Sequence, residues 1–179
     1  MRMNLQKARV AVLMLLMSLA GVACSADDIL EGKPAPSINA KLLDGARFSL
    51  NEHYGKVVII NFWATWCAPC WAEMRELEAY YKKYRSQGLE IIAISVDDLK
   101  DEATVRETMR RYTYPSALVG DTTIEGYGNI ARVPITLMID HRGIIRWDSR
   151  RDRPWITLKA LEWIVNPYLP GPPPRPNAS

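Results

Sequence analysis

The sequence is poor in the two residue types that most often bind structural zinc. Its 179 residues include three cysteines and two histidines. A structural zinc ion normally takes four such ligands, and apart from Cys67 and Cys70 these residues lie far apart along the chain. The shortage argues against a metal site and against a framework of structural disulfides. We expect neither a metal nor another cofactor.

A large excess of charge of one sign is also absent. Lysine and arginine number 23 against 20 aspartates and glutamates, which gives a net charge of +3. Nucleic-acid-binding domains usually combine a concentrated basic patch with a recognisable binding motif, and the sequence shows no stacking or phosphate-binding motif. We therefore expect no nucleic acid as a partner. The sequence also has no internal repeats.

No apolar run is long enough for a comfortable membrane span of about 20 residues. The nearest candidate, Val10–Ala23, is almost continuously apolar and follows the basic residues Arg2, Lys7 and Arg9. Small residues come after it. This pattern predicts a secretory signal peptide over residues 1–26, with an uncleaved membrane anchor as the alternative.

Cys24 lies at the end of this signal and leaves two forms of the mature chain open. Cleavage after Ala26 removes the cysteine, whereas cleavage before Cys24 makes it the lipidated first residue. The small residues up to Ala26 fit ordinary signal peptidase, and Gly21 replaces the large apolar residue typical of a lipoprotein signal. We favour ordinary cleavage. In both cases Cys67 and Cys70 are the free thiols left in the folded domain.

Length and composition suit one globular domain with appendages. Hydrophobic residues make up 48% and charged residues 24% of the chain, and both values are ordinary for a folded domain. We place the domain at residues 31–167. Residues 168–179 are rich in proline, so we expect them to form an extended, mobile tail.

The sequence Trp-Cys-Ala-Pro-Cys at residues 66–70 carries the clearest chemistry. A strand-like apolar run, Val57–Trp63, precedes it and a helix-like run follows it. Cys67 is therefore expected just before the first helical turn, where unpaired N–H groups and the helix dipole stabilise a thiolate. Cys70 would lie one turn further on, placed to attack a mixed disulfide formed on Cys67. A purely structural disulfide between such close neighbours would close almost no loop.

Apolar periodicity and turn residues predict the remaining elements. Two short strands on either side of Asp44-Gly45 form a hairpin. The final helix is expected to be capped by Ser149 or Asp152. The predicted strands are 37–43, 47–50, 57–63, 89–96, 116–119, 135–140 and 144–147, and the predicted helices are 71–87, 100–112 and 154–165, with a short helix and turn within 121–131.

The stretch from Val57 to Glu73, with Asn-Phe-Trp-Ala-Thr-Trp-Cys-Ala-Pro-Cys at its centre, resembles the thioredoxin superfamily. It is most similar to the exported branch of TlpA/ResA-like thiol–disulfide oxidoreductases. Far downstream, Val133-Pro134 matches the proline that lies opposite the dithiol in this superfamily. The resemblance covers residues 31–167 and implies an α/β thioredoxin fold: a central mixed β-sheet flanked by helices, with an N-terminal β-hairpin extension.

The resemblance also implies roles for the residues around the dithiol. Cys67 is the expected nucleophile, Cys70 the resolving thiol, and the two form the redox-active disulfide. The Val133–Pro134 bond is expected to be cis, exposing the Val133 backbone to a substrate segment. Trp66, which flanks the site, is expected to join Val133 and Pro134 in substrate binding. A trans proline that starts a strand is the alternative.

Asn61 stands where many thioredoxins have a buried aspartate, and an amide does not titrate. Glu73, three residues after Cys70 on the same helical face, matches a glutamate with a proton-handling role in the resembling branch. Partial burial would raise its pKa into a range suited to that role. The alternative is an exposed first-turn glutamate favoured by the helix dipole.

Several other polar residues are expected to lie in solvent. His53 follows the hairpin without an evident partner, and Asp97-Asp98 is expected to form a solvated turn that caps the next helix. Arg75 replaces a proline that is frequent in the family, so we expect a straighter helix. A solvated basic face is expected from four arginines: Arg146, Arg150, Arg151 and Arg153.

The uncharged pair between the cysteines predicts a reducing couple, because strong oxidants of this fold have a thiolate-stabilising histidine there. In an oxidising exported compartment such as the periplasm, a reductant needs a supply of electrons. The resemblance implies a membrane donor of the DsbD/CcdA kind and disulfide-containing exported proteins as substrates, with cytochrome c maturation as the most frequent use. Contact with the membrane would come only through the signal or a lipid on Cys24.

Two alternatives to a reductase come from other functional classes. A thiol peroxidase of the peroxiredoxin type shares the N-terminal hairpin, but peroxiredoxins have threonine where this chain has Ala64. A non-catalytic binding module could use the edge at Val133, although the intact dithiol argues against it.

Overall fold

The computed structural model describes residues 30–130, 132–151 and 156–171. The predicted signal peptide and most of the predicted tail lie outside these residues. Among the helices of the described part, none is both long enough and apolar enough to cross a membrane.

Seven strands form one mixed sheet. They are β1 (Asn39–Leu42), β2 (Arg47–Ser49), β3 (Val57–Trp63), β4 (Leu89–Ser95), β5 (Ser116–Thr123), β6 (Ile135–Ile139) and β7 (Ile145–Asp148). Their order across the sheet is β2-β1-β5-β4-β3-β6-β7. Strand β3 runs parallel to β4, and β4 parallel to β5, whereas β6 is antiparallel to both β3 and β7. The predicted central mixed sheet is confirmed.

Three α-helices accompany the sheet: α1 (Ala68–Tyr84), α2 (Glu102–Met109) and α3 (Leu158–Val165). Buried side chains from each, among them Met74, Val105 and Leu161, belong to one hydrophobic cluster with Val57 and Ile59 of β3. The helices therefore cover the face of the sheet to which the odd-numbered residues of β3 point.

The even-numbered residues of β3 belong to a second hydrophobic cluster. Val58, Ile60 and Phe62 pack there with Ile38 of the N-terminal segment and with Tyr127. All seven residues of β3 are buried. This agrees with the nearly continuous apolar run in the sequence, interrupted only by Asn61, which is typical of a strand covered on both faces. The strand that leads to the dithiol is thus covered on both faces of the sheet.

The predicted N-terminal hairpin is present. Strand β1 pairs antiparallel with β2 across Asp44 and Gly45, and Gly45 has a φ of 91° that L side chains rarely adopt. Strand β1 also pairs with β5. The hairpin therefore extends the same sheet at one edge instead of standing apart from it.

At the opposite edge, residues 30–35 run along β7. The Gly32 N–H donates to Ile145 O at 2.8 Å, and the Ile145 N–H donates to Lys33 O at 3.0 Å. The Leu30 N–H donates to Asp148 Oδ2 at 3.2 Å. The N-terminal segment thereby occupies backbone groups on the outer side of β7.

The start of α1 differs from the predicted range 71–87 but confirms the expected place of Cys67 just before the first helical turn. The helix begins at Ala68 rather than Trp71, with Cys67 as its N-cap and Pro69 in its first turn. A proline there loses no helical hydrogen bond, because the first N–H groups of a helix have no partner within it. Both cysteines therefore belong to the helix start.

The start of α3 also differs from the prediction. Thr157 caps it by accepting a hydrogen bond from the Ala160 N–H at 3.2 Å, so the helix begins at Leu158. Ser149 is not the cap, because its Oγ accepts from the Thr136 N–H at 2.9 Å. Asp152, the other expected cap, lies outside the described residues.

Strand β5 is longer than predicted, and the turn after it is not helical. It continues past Val119 to Thr123 because β1 pairs along its far end. The described residues of the 121–131 range contain no helix. Instead, Tyr127 is buried there and its hydroxyl donates to Pro36 O at 2.6 Å. Pairing between distant segments therefore decides the conformation of this region.

Candidate active site

The dithiol lies in the turn between β3 and α1. The Cys67 N–H donates to Ala64 O at 3.1 Å and closes the turn. Cys67 and Cys70 form a disulfide with their Cα atoms 5.3 Å apart. Cys67 Sγ also accepts from the Cys70 N–H at 3.3 Å, so the sulfur occupies the position of a helix-capping acceptor. Cys67 is 4% exposed and Cys70 is fully buried, which makes Cys67 the more exposed of the two residues.

Trp66 forms the exposed apex of this turn. Its side chain is 68% exposed although it directly precedes a buried cysteine. Large exposed aromatic side chains are frequent at surfaces that bind other proteins. The structure therefore presents an apolar contact surface beside Cys67.

The Val133–Pro134 peptide bond is cis, as predicted. It directly precedes β6, whose Ile135 pairs with Phe62 in β3. Because Phe62 is the last but one residue of β3, this pairing places the cis bond at the same end of the sheet as the dithiol. Val133 is half-buried and contacts both hydrophobic clusters.

Glu73 belongs to α1, and its side chain contacts side chains of β3 and β6. Its Oε1 accepts a hydrogen bond from Asn61 Nδ2 at 3.1 Å and another from the Thr136 hydroxyl. Asn61 Nδ2 also donates to Thr136 Oγ1 at 2.9 Å. Burial raises the pKa of the Glu73 carboxyl, while the hydrogen bonds from Thr136 and Asn61 act in the opposite direction. The expectation of a partly buried glutamate with a raised pKa is in agreement with this environment.

Two buried polar atoms near the dithiol have no hydrogen-bond partner among the described residues: Asn61 Oδ1 and Trp63 Nε1. Asn61 directs its donor group at Glu73 and Thr136, which leaves its carbonyl oxygen unpaired. An unpaired buried carbonyl costs about 1–3 kcal/mol. The amide orientation that supplies two donors to the Glu73 network therefore carries a cost in stability.

Asp97 is an additional residue at the site that sequence reasoning placed wrongly in solvent. It is 5% exposed. Its Oδ2 accepts from the Thr65 N–H at 2.9 Å and its Oδ1 from Thr65 Oγ1 at 2.7 Å. The prediction of a solvated turn holds only for the neighbouring Asp98, which pairs with Lys100 and makes no side-chain capping bond. The sequence did contain a signal. Strands β3 and β4 are parallel, so polar residues just beyond their carboxyl ends meet at the same end of the sheet.

The predicted solvated basic face holds for Arg151, whose side chain is 59% exposed, but is wrong for Arg150 and Arg146. Arg150 has a side chain only 5% exposed and pairs with Asp148, with Nη2 and Oδ2 2.6 Å apart. It also donates to Tyr127 O at 2.7 Å. Arg146 pairs with the buried Asp140 at 2.7 Å. Arg151 pairs with Glu31, and Arg153 lies outside the described residues.

His53 is not the isolated surface histidine that the sequence suggested. Its ring stacks on Phe48 with centroids 4.5 Å apart, and Nδ1 lies 2.9 Å from Ser49 O. Its Nε2 lies 3.8 Å from a carboxylate oxygen of Glu90. These partners hold the side chain in a half-buried position before the start of β3, at the other end of the strand from the dithiol.

Arg75, which replaces a proline frequent in the family, lies within α1. The helix continues unbroken through it.

Comparison with known proteins identifies the family. The model of the AhpC/TSA family matches residues 31–148. The chain belongs to this family. It is similar to two proteins from Bacillus cereus strains, each named thiol-disulfide oxidoreductase ResA. One is 34% identical over 179 residues, covering 95% of this chain and 100% of that protein. The other is 36% identical over 114 residues, covering 63% of this chain and 65% of that protein, slightly less than two thirds of its length.

A solved structure supports the same conclusion. A thiol:disulfide interchange protein of the thioredoxin family from Chlorobium tepidum is 27% identical and has a TM-score of 0.64, covering 80% of this chain and 99% of that one. The predicted thioredoxin fold is confirmed. Together with the Cys67–Cys70 pair, these matches confirm the prediction of a thioredoxin-like thiol–disulfide oxidoreductase. Disulfide-containing molecules are the corresponding substrate class.

Proposed function

We propose that this protein reduces disulfide bonds in exported proteins, with Cys67 as the nucleophile and Cys70 as the resolving thiol. The observation that carries the proposal is the position of Cys67 at the N-cap of α1, nearer to solvent than the fully buried Cys70. A thiolate at Cys67 would be stabilised by the N–H groups of the first helical turn. A substrate can reach Cys67 first, and Cys70 can act only from within the protein.

In the proposed reaction the reduced protein transfers two electrons to a substrate disulfide. The Cys67 thiolate attacks one substrate sulfur, the substrate S–S bond breaks, and the first substrate thiolate leaves and takes up a proton. The Cys70 thiol then loses its proton and attacks Cys67 Sγ. The mixed disulfide breaks, the second substrate thiolate leaves and is protonated, and the protein retains the Cys67–Cys70 disulfide.

Glu73 is our candidate for the group that accepts the proton of Cys70. It follows Cys70 by three residues on α1, and its second oxygen, Oε2, has no donor among the described residues. Burial raises the pKa of its carboxyl, which improves its match to a thiol. After accepting the proton, Glu73 can return it to the departing substrate thiolate.

Trp66, Val133 and Pro134 are our candidates for substrate binding. Trp66 offers an exposed apolar side chain next to Cys67. The cis bond lies at the same end of the sheet, and the backbone before it can pair with an extended substrate segment. An extended segment held there would present its disulfide to Cys67.

The proposed compartment is the periplasm or another exported location. Support comes from the basic start and apolar run within residues 1–26 and from the similarity to proteins named ResA. Cytochrome c maturation is the use that we propose on the same resemblance, with a membrane donor of the DsbD/CcdA kind. A lipid on Cys24 remains the alternative to ordinary cleavage.

The proposal is tested by reduction of insulin with dithiothreitol as electron source. The wild type is expected to accelerate the reaction, and Cys67→Ser to abolish the acceleration. Cys70→Ser should trap a mixed disulfide with substrate, because the resolving thiol is missing. Trapping in a cell that exports the protein would identify the physiological partners. A wild type that fails to accelerate insulin reduction contradicts the proposal.

Thiol peroxidase activity is the second candidate, since the chain belongs to the AhpC/TSA family. Peroxide consumption by the same preparation separates the two activities. Ala64 occupies the position where peroxiredoxins have a threonine, so we expect peroxide consumption to be far slower than insulin reduction. A non-catalytic binding module would bind exported proteins equally well as wild type and as Cys67→Ser/Cys70→Ser, and neither form would accelerate insulin reduction.

A further inference from the structure

Thr65 lies in the turn that carries the dithiol, and each of its polar groups makes a hydrogen bond. Its N–H and its hydroxyl both donate to the Asp97 carboxylate, at 2.9 and 2.7 Å. Its carbonyl oxygen accepts from Trp71 Nε1 at 3.2 Å. The turn itself closes through the hydrogen bond from the Cys67 N–H to Ala64 O. The position of Cys67 relative to the sheet therefore depends on how firmly Thr65 is held.

Asp97 is in turn fixed to the end of β4. Its Oδ2 accepts from Ser95 Oγ at 2.6 Å, and its own N–H donates to the same Ser95 Oγ at 3.0 Å. The Val96 N–H donates to Trp63 O at 2.8 Å, extending the pairing of β4 with β3 past the last strand residues. The carboxylate thus occupies a fixed place beside the end of β3.

The chemistry of this contact suggests more than a loop anchor. A buried carboxylate is costly unless hydrogen bonds compensate it, and here three donors from Thr65 and Ser95 do so. Hydrogen bonds to a charged acceptor are shorter and stronger than those between neutral groups. Two of them converge on the single residue Thr65, two positions before Cys67. This arrangement restricts both displacement and rotation of the turn.

We propose that Asp97 is a positioning residue for the dithiol, which keeps Cys67 at the N-terminus of α1 by holding Thr65. The stabilisation of an anion by a helix N-terminus falls off within the first turn. A turn that moves more freely would therefore hold the Cys67 thiolate less well. This inference rests on the proposed role of Cys67 as the nucleophile.

The other ionisable groups on the elements around Cys67 stay unchanged in the experiment. They include Cys70, Glu73, Arg75 and Glu76 on α1, Asp98 after β4 and Arg132 beside the cis bond. Thr65→Val removes one hydrogen bond to Asp97 with little change of shape and without changing any charge. Thr65→Ser keeps the hydroxyl and serves as the conservative variant.

The chain contains a matched control for the same type of contact. Glu78 accepts from the Thr113 N–H at 2.9 Å and from Thr113 Oγ1 at 3.0 Å. This is the same pair of donors on a carboxylate, but the contact joins α1 to the segment before β5. Thr113→Val removes the equivalent hydroxyl bond and should affect stability without affecting the dithiol.

The measurement is the rate of Cys67 alkylation in the reduced protein as a function of pH, with the adduct mapped by mass spectrometry. For Thr65→Val we expect the midpoint to rise by about half a pH unit or more, which lowers the rate at pH 6 about threefold. Asp97→Ala also removes a negative charge, which by itself lowers the midpoint, so a rise of the midpoint in this variant would be the stronger support. Thr65→Ser should return the midpoint close to that of the wild type, and Thr113→Val should leave it unchanged.

The inference is overturned if Thr65→Val and Thr113→Val have the same midpoint, or if Thr65→Ser fails to restore it. Should Asp97→Ala not fold, Thr65→Val alone decides the result. Insulin reduction by the wild type is measured separately. Its absence would remove the proposed function, while the alkylation midpoints would still decide the role of Asp97.

Discussion

The side-chain amide of Asn61 donates to Oε1 of Glu73 at 3.1 Å. This contact joins the strand before the dithiol to the helix that begins with it. Asn61 cannot take up a proton, so any titration at this position belongs to the Glu73 carboxyl. If Glu73 accepts the proton as proposed, the proton-accepting group of this site lies on the helix, whereas many thioredoxins have it on the strand.

Replacement of Glu73 by glutamine should slow disulfide exchange. Gln retains the shape of the side chain but cannot accept the Cys70 proton. We expect a loss of about tenfold to a hundredfold, the lower range for general base catalysis. Burial raises the pKa of Glu73, and the base acts only when deprotonated, so the wild-type rate should climb as pH rises through that raised pKa. This increase of the exchange rate with pH should be missing in Glu73→Gln.

Stopped-flow oxidation followed by tryptophan fluorescence measures this rate, because Trp63 and Trp66 flank the site. Thermal unfolding of Glu73→Gln serves as the control for an intact fold. Equal rates for the variant and the wild type between about pH 6 and 9, the range in which a thiol and a raised carboxyl titrate, would show that Glu73 does not accept the proton.

Loss of the Thr136 hydroxyl should raise the pKa of Glu73 further. The hydroxyl donates to the carboxylate and so favours its charged form. In Thr136→Val the burial of Glu73 is no longer opposed by this bond, so the rising part of the pH–rate profile should move to higher pH. Thr136→Ser, which retains the donor, should restore the wild-type profile. A Thr136→Val profile with an unchanged midpoint would contradict this account.

The Cys67–Cys70 couple should be reducing, with a potential on the order of −250 mV or lower, near that of thioredoxin. Ala68 and Pro69 offer no charge or side-chain donor to the Cys67 thiolate. Equilibration with glutathione buffers measures the potential. Introducing a histidine by Pro69→His should move the potential towards more oxidising values. A wild-type value near −120 mV, typical of a strong oxidant, would contradict the reductase proposal.

Removal of the Arg150 side chain should destabilise the fold in a pH-dependent way. Burial alone would raise the pKa of Asp148, but the hydrogen bonds from Arg150 and the Leu30 N–H, together with the charge of Arg150, hold the pKa below its usual value. The stabilisation from this pair is therefore present above the unfolded pKa of about 4 and is lost as pH falls through the lower folded value.

For Arg150→Ala we expect a loss of about 3 kcal/mol in the free energy of unfolding at pH 7, because it leaves a buried carboxylate without its partner. The loss should be smaller at pH 3, where Asp148 begins to protonate. Urea unfolding at both pH values measures it. Arg151→Ala, which removes an exposed pair with Glu31, is the control and should cost less than 1 kcal/mol. A loss of equal size at both pH values would contradict the assignment.

The parts of the fold that follow from local sequence were predicted well. Strand β3 has six apolar residues among its seven, and such a run is buried on both faces wherever both faces of the sheet are covered. Gly45 and the cysteine motif likewise act through their own backbone and immediate neighbours. The resemblance to a known superfamily supplied the cis bond at Val133–Pro134, which periodicity alone would not indicate.

The errors concern polar residues whose partners are distant in sequence. Asp97 was expected in solvent, but it bonds to Thr65, 32 residues earlier. Charge and polarity favour solvent exposure unless a partner exists, and a single sequence does not show which residues meet. Arg150 was expected on the surface although Asp148, with which it pairs, is only two residues away; its other partner, the Tyr127 carbonyl, is 23 residues away.

The two edge strands of the sheet, β2 and β7, leave little room for another strand to pair. Within the described part of the chain, β2 has only three residues, and residues 30–35 bond to the backbone along the outer side of β7. Open strand edges are where proteins join each other into aggregates. A reductase meets partly unfolded partners with exposed strands of their own, so protected edges would direct such partners towards the cis-proline segment and away from uncontrolled growth of the sheet.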